Sequence, residues 1–170
     1  MNDDCVHDPV NRVCYVFEAR GEDLVVHVRI DPGGALPPHL HPVMEERWSV
    51  VEGEVRFRVN GHERVLRAAD GDVVVRPGVV HGLSSAGDGE ARLRCLVTPA
   101  MRLQEFLEES AAAAREGMFT ARGLPRGLRG ARWSARFLKR YRSETVFVSP
   151  PPLFQTLLIA LLAREGKEPR

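Results

Sequence analysis

The chain has 170 residues, of which 44% are hydrophobic and 28% charged, a composition typical of a soluble globular protein with a sizeable core. Its formal net charge of +1 excludes a general polyanion binder and a strongly acidic, solvated chain. The charge is uneven, because residues 1–99 carry 16 acidic and 11 basic side chains, whereas residues 100–170 carry 7 and 13.

The N-terminal segment and the cysteines give information on compartment and redox chemistry. The first residues are polar and show no apolar region typical of a signal peptide, and no window reaches the ~18 apolar residues of a membrane span. A cytoplasmic protein is therefore expected. Cys5, Cys14 and Cys95 are an odd number without CxxC spacing, which predicts neither a disulfide framework nor a thiolate zinc site. Cys95 is expected to be a small core residue.

The first 99 residues have the alternation typical of strands. In 24–30, Leu24, Val26 and Val28 share one face and His27 lies on the other. Asn60-Gly61 is a strong hairpin signal. Strands are predicted over 13–18, 24–30, 54–59, 72–75 and 91–97, with Gly- and Pro-containing turns between them. Short strands at this spacing, with no helix between them, indicate an antiparallel sandwich or barrel.

After residue 99 the period becomes helical. A stripe that includes Leu103, Phe106 and Leu107 predicts a helix over 101–116. A connection rich in Gly, Pro and Arg follows over 117–130, then a basic helix over 131–142 and an apolar helix over 153–163. The chain therefore divides into a β unit, 1–99, and a helical extension, 100–170, that packs on the barrel or at a dimer interface.

One group of residues carries metal chemistry. His39 and His41 point to the same face of a strand, because the side-chain period is two. A loop before the next strand leaves open whether Glu45 or Glu46 turns inward, and His81 follows a Pro-Gly turn. Imidazoles and a carboxylate that converge inside a barrel form a nitrogen/oxygen site for a divalent transition metal, with room for water or substrate.

These residues match two motifs, so the chain resembles the cupins, a superfamily of small β-barrel proteins. The first motif spans 33–53 and consists of Gly33, His39, His41, Glu46 and Gly53. The second spans 71–85 and consists of Gly71, Pro77, Gly78 and His81, but it is one residue short between Pro77 and Gly78 and has Ser85 in place of the usual Asn. The resemblance implies a mainly β fold, an antiparallel, jelly-roll-like barrel followed by the helical extension.

The resemblance also implies a function. The metal ligands would be His39, His41, Glu46 and His81, and the metal iron, manganese, zinc, nickel or cobalt. Expected pocket residues are Val26, Val28, Trp48, Val50 and Phe57, with Trp48 either a pocket wall or barrel packing. The expected activity is dioxygenase, cyclase or isomerase chemistry on a small, partly apolar organic molecule. The alternative is a non-catalytic module that binds a metal and a small molecule for sensing or partner binding.

The extension has two interpretations. Residues 120–142 carry eight basic side chains and no acidic one. In the first interpretation, this segment binds anionic lipid or nucleic acid. In the second, the basic side chains form the solvated face of a helix that packs through Trp133, Phe137 and Tyr141. The second interpretation is favoured, with the basic face paired to the acidic first half. The helix over 153–163 is expected to be buried on the barrel or a dimer partner, with membrane-surface association as the alternative. A homodimer is expected, and no nucleic-acid partner.

Overall fold

The computed structural model describes residues 5–149 and 151–163. Residues 1–4 of the predicted β unit, and residues 150 and 164–170 of the predicted extension, lie outside the described residues. Ten strands come before the first α-helix: β1 (Val6–Asp8), β2 (Val13–Arg20), β3 (Asp23–Ile30), β4 (Ala35–Leu40), β5 (Glu45–Glu52), β6 (Val55–Val59), β7 (His62–Leu66), β8 (Val73–Val75), β9 (His81–Ser85) and β10 (Ala91–Thr98), with a 3-10 turn, Ala68–Asp70, before β8. They are followed by α1 (Leu103–Arg115), α2 (Gly127–Arg140), β11 (Val146–Phe147) and α3 (Pro152–Leu162).

The strands form two antiparallel sheets that enclose an apolar core. One has the order β1-β2-β3-β10-β5-β8, and the other has the order β11-β4-β9-β6-β7. In β3, Leu24, Val26 and Val28 are buried and His27 is exposed, as the alternation predicted. The predicted fold class, a mainly β, jelly-roll-like antiparallel barrel with C-terminal helices, is confirmed.

The helices pack against the barrel rather than standing apart from it. Leu103 and Phe106 of α1, Phe137 of α2 and Tyr141 belong to the same buried cluster as the barrel residues. Tyr141 also donates a hydrogen bond from its hydroxyl to Glu109 at 2.8 Å. The core therefore continues from the barrel into the extension.

The basic helix presents its arginines to solvent. Trp133 is half-buried and Phe137 is buried, whereas Arg132 and Arg136, each directly before one of these rings, are exposed. The ion pairs of this helix differ from the predicted ones. Among the described residues, Arg129 and Arg140 pair with Glu116 and Glu109, which belong to the extension and not to the acidic first half.

Helix α2 begins at Gly127, inside the predicted connection. Gly130 lies one turn into the helix and allows the helix to form at this position. A Cβ atom on this residue would lie only 2.4 Å from the carbonyl oxygen of Met118. Without a side chain the helix approaches the preceding segment closely. Gly and Pro residues made this stretch resemble a loop in the sequence.

The last helix is only partly buried within the single chain. Helix α3 lies against α2, but Leu153, Leu157 and Leu161 are exposed by 85, 54 and 62%. The single chain therefore leaves the leucine side chains of this helix uncovered, and burial against a dimer partner stays a prediction. Among the described helices, none combines the length and apolar character that a membrane span requires.

The cysteines depart from the expectation as well. Cys5 and Cys14 form a disulfide with a Cα–Cα distance of 5.7 Å. The antiparallel pairing of β1 with β2, in which His7 lies opposite Cys14, brings the N-terminal segment to this position. Spacing in the sequence could not show this pairing, because it depends on the strand register. Cys95 is a free, buried thiol.

Candidate metal centre

Three strands bring four potential ligands to one end of the barrel. His39 lies in β4, His41 directly after it, Glu46 in β5 and His81 at the start of β9. The pairing of β4 with β9 places His39 opposite His81. One ligand atom from each of the four side chains lies within 4.8 Å of all the others. The two motifs, whose nearest members in this group are Glu46 and His81, 35 residues apart, thus meet in space.

Strand periodicity selects Glu46 over Glu45. Glu46, Trp48 and Val50 are buried on the inner face of β5. Glu45 and Arg47 point the other way and line a separate surface groove. The register of β5 therefore turns Glu46, and not Glu45, towards the three histidines.

Backbone carbonyls fix the orientation of all three imidazoles. The Nδ1 atom of His39 lies 2.7 Å from the carbonyl oxygen of Pro37, that of His41 lies 2.6 Å from the carbonyl oxygen of Glu144, and that of His81 lies 3.1 Å from the carbonyl oxygen of Val79. A carbonyl oxygen only accepts, so each Nδ1 donates its proton. In a neutral imidazole the Nε2 atom then carries the free lone pair, the arrangement that metal-binding histidines require.

The Glu46 carboxylate sits between two of these Nε2 atoms. Its Oε1 lies 3.0 Å from His41 Nε2 and its Oε2 lies 2.8 Å from His81 Nε2. Both Nε2 atoms are buried, yet neither has a partner in acceptable hydrogen-bond geometry among the described residues. Buried polar atoms without partners are uncommon, and a metal ion between them would satisfy both. The donor set therefore fits a metal.

Trp48 holds the carboxylate in place. Its indole N–H donates a hydrogen bond of 2.8 Å to Glu46 Oε2, two residues away on the same face of β5. The ring is buried and meets Phe57 edge-on at 6.1 Å. The sequence placed Trp48 in the pocket but gave no sign of this hydrogen bond.

The electrostatics of the group favour the proton-free forms of His39 and Glu46, whereas the pKa of His41 is raised because its contact with the Glu46 carboxylate outweighs burial. Burial, followed by the nearby His81 and His41, lowers the pKa of His39 to about 3. Burial opposes ionisation of Glu46, but its closeness to His41 and His81 outweighs burial and holds its pKa well below the usual range. A neutral imidazole and a carboxylate suit a divalent transition ion of intermediate softness.

The short turn of the second motif still delivers His81 to the group. The N–H of Gly78 donates a 2.8 Å hydrogen bond to the carbonyl oxygen of His41, which ties the turn to the first motif. Gly78 has φ +79°, a left-handed conformation that glycine adopts without strain. The missing residue therefore does not separate the two motifs.

The four side chains adjoin a cavity of about 510 Å³ between the barrel and the extension. Val26, Val28 and Trp48 line it, as expected. Val50 and Phe57 do not line it, which corrects the expected pocket. They are buried in the core beside Trp48, because side chains fill the interior of a small barrel away from its open end.

The extension contributes to the site in a way the sequence reasoning missed. Glu144 supplies the carbonyl for His41, and Thr145 Oγ1 lies 3.3 Å from the same Nδ1 atom. Strand β11 pairs with β4, so that Phe147 lies opposite His39. The alternation of 145–148, Thr-Val-Phe-Val, was the available signal, since β-branched and aromatic residues favour strands.

Comparisons with known proteins agree with this arrangement. Residues 26–98 match the family model described as Cupin domain. A protein named oxidoreductase from Arthrobotrys oligospora is 30% identical over 83 residues, which cover 45% of this chain and 31% of the relative. The chain thus spans about a third of the length of that curated relative.

Solved structures share the fold. An RmlC-like cupin from Shewanella frigidimarina superposes with a TM-score of 0.52 and 26% identity, over 58% of this chain and 86% of that one. KdgF from a Halomonas species gives a TM-score of 0.51 and 23% identity, over 56% and 86%. Together with the domain match, these likenesses show that residues 26–98 form a cupin domain.

Proposed function

We propose that this protein is a metal-dependent enzyme that acts on a small, partly apolar organic molecule. The observation that carries the proposal is the orientation of His39, His41 and His81 by backbone carbonyls, so that their Nε2 atoms and Glu46 converge beside a cavity. In this proposal the four residues are the metal ligands. The metal is iron, manganese, zinc, nickel or cobalt, the ions that suit such donors.

The remaining residues of the site have supporting roles. Trp48 orients the Glu46 carboxylate, and Val26 and Val28 make the inner wall apolar and keep water away from a bound substrate. The chemistry that a bound divalent ion supplies is polarisation of an oxygen-bearing substrate or, with iron, activation of dioxygen. Dioxygenase, cyclase and isomerase reactions all use such chemistry. The name oxidoreductase, carried by the Arthrobotrys relative, supports dioxygenase chemistry, the redox reaction among these three.

A non-catalytic binding module is the second candidate, and the remaining titratable groups favour it. Asp8 lines the cavity but accepts hydrogen bonds from the backbone N–H groups of Val10 and Asn11 and from the Asn11 side chain. Burial raises the pKa of Tyr15 and of Cys95, which keeps both protonated. These three groups are therefore poorly placed to transfer protons.

Metal analysis tests the site. Elemental analysis of the purified protein is expected to find close to one transition ion per chain, and a variant with His39→Ala and His41→Ala is expected to lose it. Glu45→Gln is the matched control and is expected to keep the metal, because Glu45 faces away from the group. Absence of metal in the unmodified protein, even after anaerobic refilling, would reject the metal centre.

Turnover separates the two candidates. An enzyme consumes a candidate substrate, or dioxygen, beyond one equivalent per chain, whereas a binding module stops at stoichiometric binding. Bound iron or manganese directs the search to oxygen-consuming reactions, measured with an oxygen electrode. Zinc or nickel directs it to cyclase and isomerase reactions.

A further inference from the structure

The cavity has a wall of aromatic rings that comes entirely from the extension. Its five members all line the cavity: Phe106 of α1, Phe119 of the following loop, Trp133 and Phe137 of α2, and Phe147 of β11. We call this set the aromatic wall. The barrel contributes the aliphatic Val26 and Val28 and the rings of Tyr15 and Trp48 to the lining.

The rings of the wall follow one another away from the metal centre. Phe147 lies 6.4 Å from the His39 ring, and the successive centroid distances are 6.3 Å from Phe147 to Phe106, 4.9 Å from Phe106 to Phe137, 4.6 Å from Phe137 to Trp133 and 5.5 Å from Trp133 to Phe119. Trp133 and Phe137 are nearly parallel, at 19°. The result is a continuous series of ring contacts that starts at the metal centre and ends next to the exposed loop of residues 121–125.

Burial distinguishes this wall from ordinary core packing. Phe106 and Phe137 are buried, but Phe119, Trp133 and Phe147 are only half-buried although they border an internal cavity. Large apolar rings left in contact with water gain free energy when an apolar ligand covers them. Aromatic ligands gain a further increment from offset stacking or edge-on contacts with such rings.

The wall also holds one polar group without a partner. Ser134 lines the cavity next to Trp133, and its Oγ atom is buried with no hydrogen-bond partner among the described residues. Unpartnered buried hydroxyl groups are uncommon. A hydroxyl or carbonyl substituent on a ligand would satisfy it.

We propose that the aromatic wall determines substrate class, and that the cavity takes a planar aromatic compound carrying a hydroxyl or carbonyl group. Because this inference concerns the substrate, it rests on the proposed function. The flat face of the compound lies against the half-buried Trp133, its polar substituent meets Ser134, and one end reaches towards His39.

Calorimetric binding of two matched probes tests the proposal. The probes are 2-naphthol and its saturated analogue decahydro-2-naphthol, which share a skeleton and a hydroxyl group but differ in planarity. We expect 2-naphthol to bind at least tenfold more tightly. Equal affinities, or no saturable binding of either probe, would overturn the inference.

Variants locate the binding. Trp133→Leu is expected to weaken 2-naphthol binding at least tenfold, and Ser134→Ala about fivefold, because it removes one hydrogen bond. Phe119→Leu is the second wall variant and replaces the Trp133 variant if that one fails to fold. Phe17→Leu is the control, since Phe17 stacks on Tyr15 but does not line the cavity. Unchanged affinity in the folded wall variants would contradict the proposal.

The metal-free variant with His39→Ala and His41→Ala separates the two proposals. If it retains selective 2-naphthol binding while the unmodified protein holds no metal, the metal-dependent function fails and the aromatic wall stands. If the unmodified protein holds metal but shows no preference for the planar probe, the metal centre stands and the wall fails.

Discussion

Trp48 illustrates how a neighbouring side chain can orient a candidate metal ligand. Its indole N–H holds Glu46 Oε2, and the same oxygen lies 2.8 Å from His81. Partners of this kind typically change metal affinity 10–100-fold when removed. Trp48→Phe keeps an aromatic ring and removes the donor, so we predict that the metal dissociation constant rises about tenfold, measured by competition with a chromophoric chelator.

A matched control separates the hydrogen bond from packing. Phe57→Leu disturbs the edge-on contact with Trp48 but leaves the indole N–H in place. It should lower the free energy of unfolding by about 1 kcal/mol and leave metal affinity unchanged. If both variants lose affinity equally, Trp48 acts through packing alone.

The sequence identified the candidate metal ligands but did not show which groups orient them by hydrogen bonds. The period of two placed His39 and His41 together, and the motif spacing added Glu46 and His81. The carbonyl that fixes His41 belongs to Glu144, but every residue has a carbonyl. Side-chain identity therefore cannot reveal which one a folded chain uses.

Strand β11 has only two residues, yet it borders the ligand strand. It pairs with Leu40 and His39, and next to it the N–H of Val148 donates to the carbonyl oxygen of Pro38 at 3.2 Å. Val148→Pro removes this donor and is compatible with extended backbone before it. We predict a fall of about 1 kcal/mol in the free energy of unfolding and roughly tenfold weaker metal binding, from calorimetry and chelator competition.

Val148→Ala is the control for that experiment. It shortens an exposed side chain but keeps the N–H group, so both measurements should stay close to those of the unmodified protein. A proline variant that matches the alanine variant would mean that β11 does not support the metal centre.

Element length decided what could be predicted. Strands β3, β5 and β10 each have eight residues and show their alternation clearly. Strands β1 and β11 have three and two, too few to establish a period, and they exist because a neighbouring strand pairs with them. Helix α1 was found because its apolar stripe repeats over 13 residues.

For the whole molecule, we propose that two copies associate through α3. Its three exposed leucines, Leu153, Leu157 and Leu161, recur at four-residue intervals and form one apolar stripe on the helix. Static light scattering is expected to give about twice the 19.0 kDa of the chain. Leu157→Arg should shift the mass towards that of a single chain.

Leu128→Arg provides the comparison, because Leu128 is 58% exposed on α2 but lies outside that stripe. This variant should keep the mass of the unmodified protein. A single-chain mass for the unmodified protein at micromolar concentration would reject the dimer.

The hydrogen bond between His41 and Glu144 spans 103 residues of sequence. At synthesis rates of about 5–20 residues per second, a ribosome needs roughly 5 to 20 s to make that interval. The barrel strands, with their histidines, therefore emerge well before the carbonyl that fixes His41 and the rings that enclose the cavity. We therefore expect the nascent chain to pass through a stage in which His41 is not yet oriented, and the histidine group to be completed only when the last part of the extension has docked.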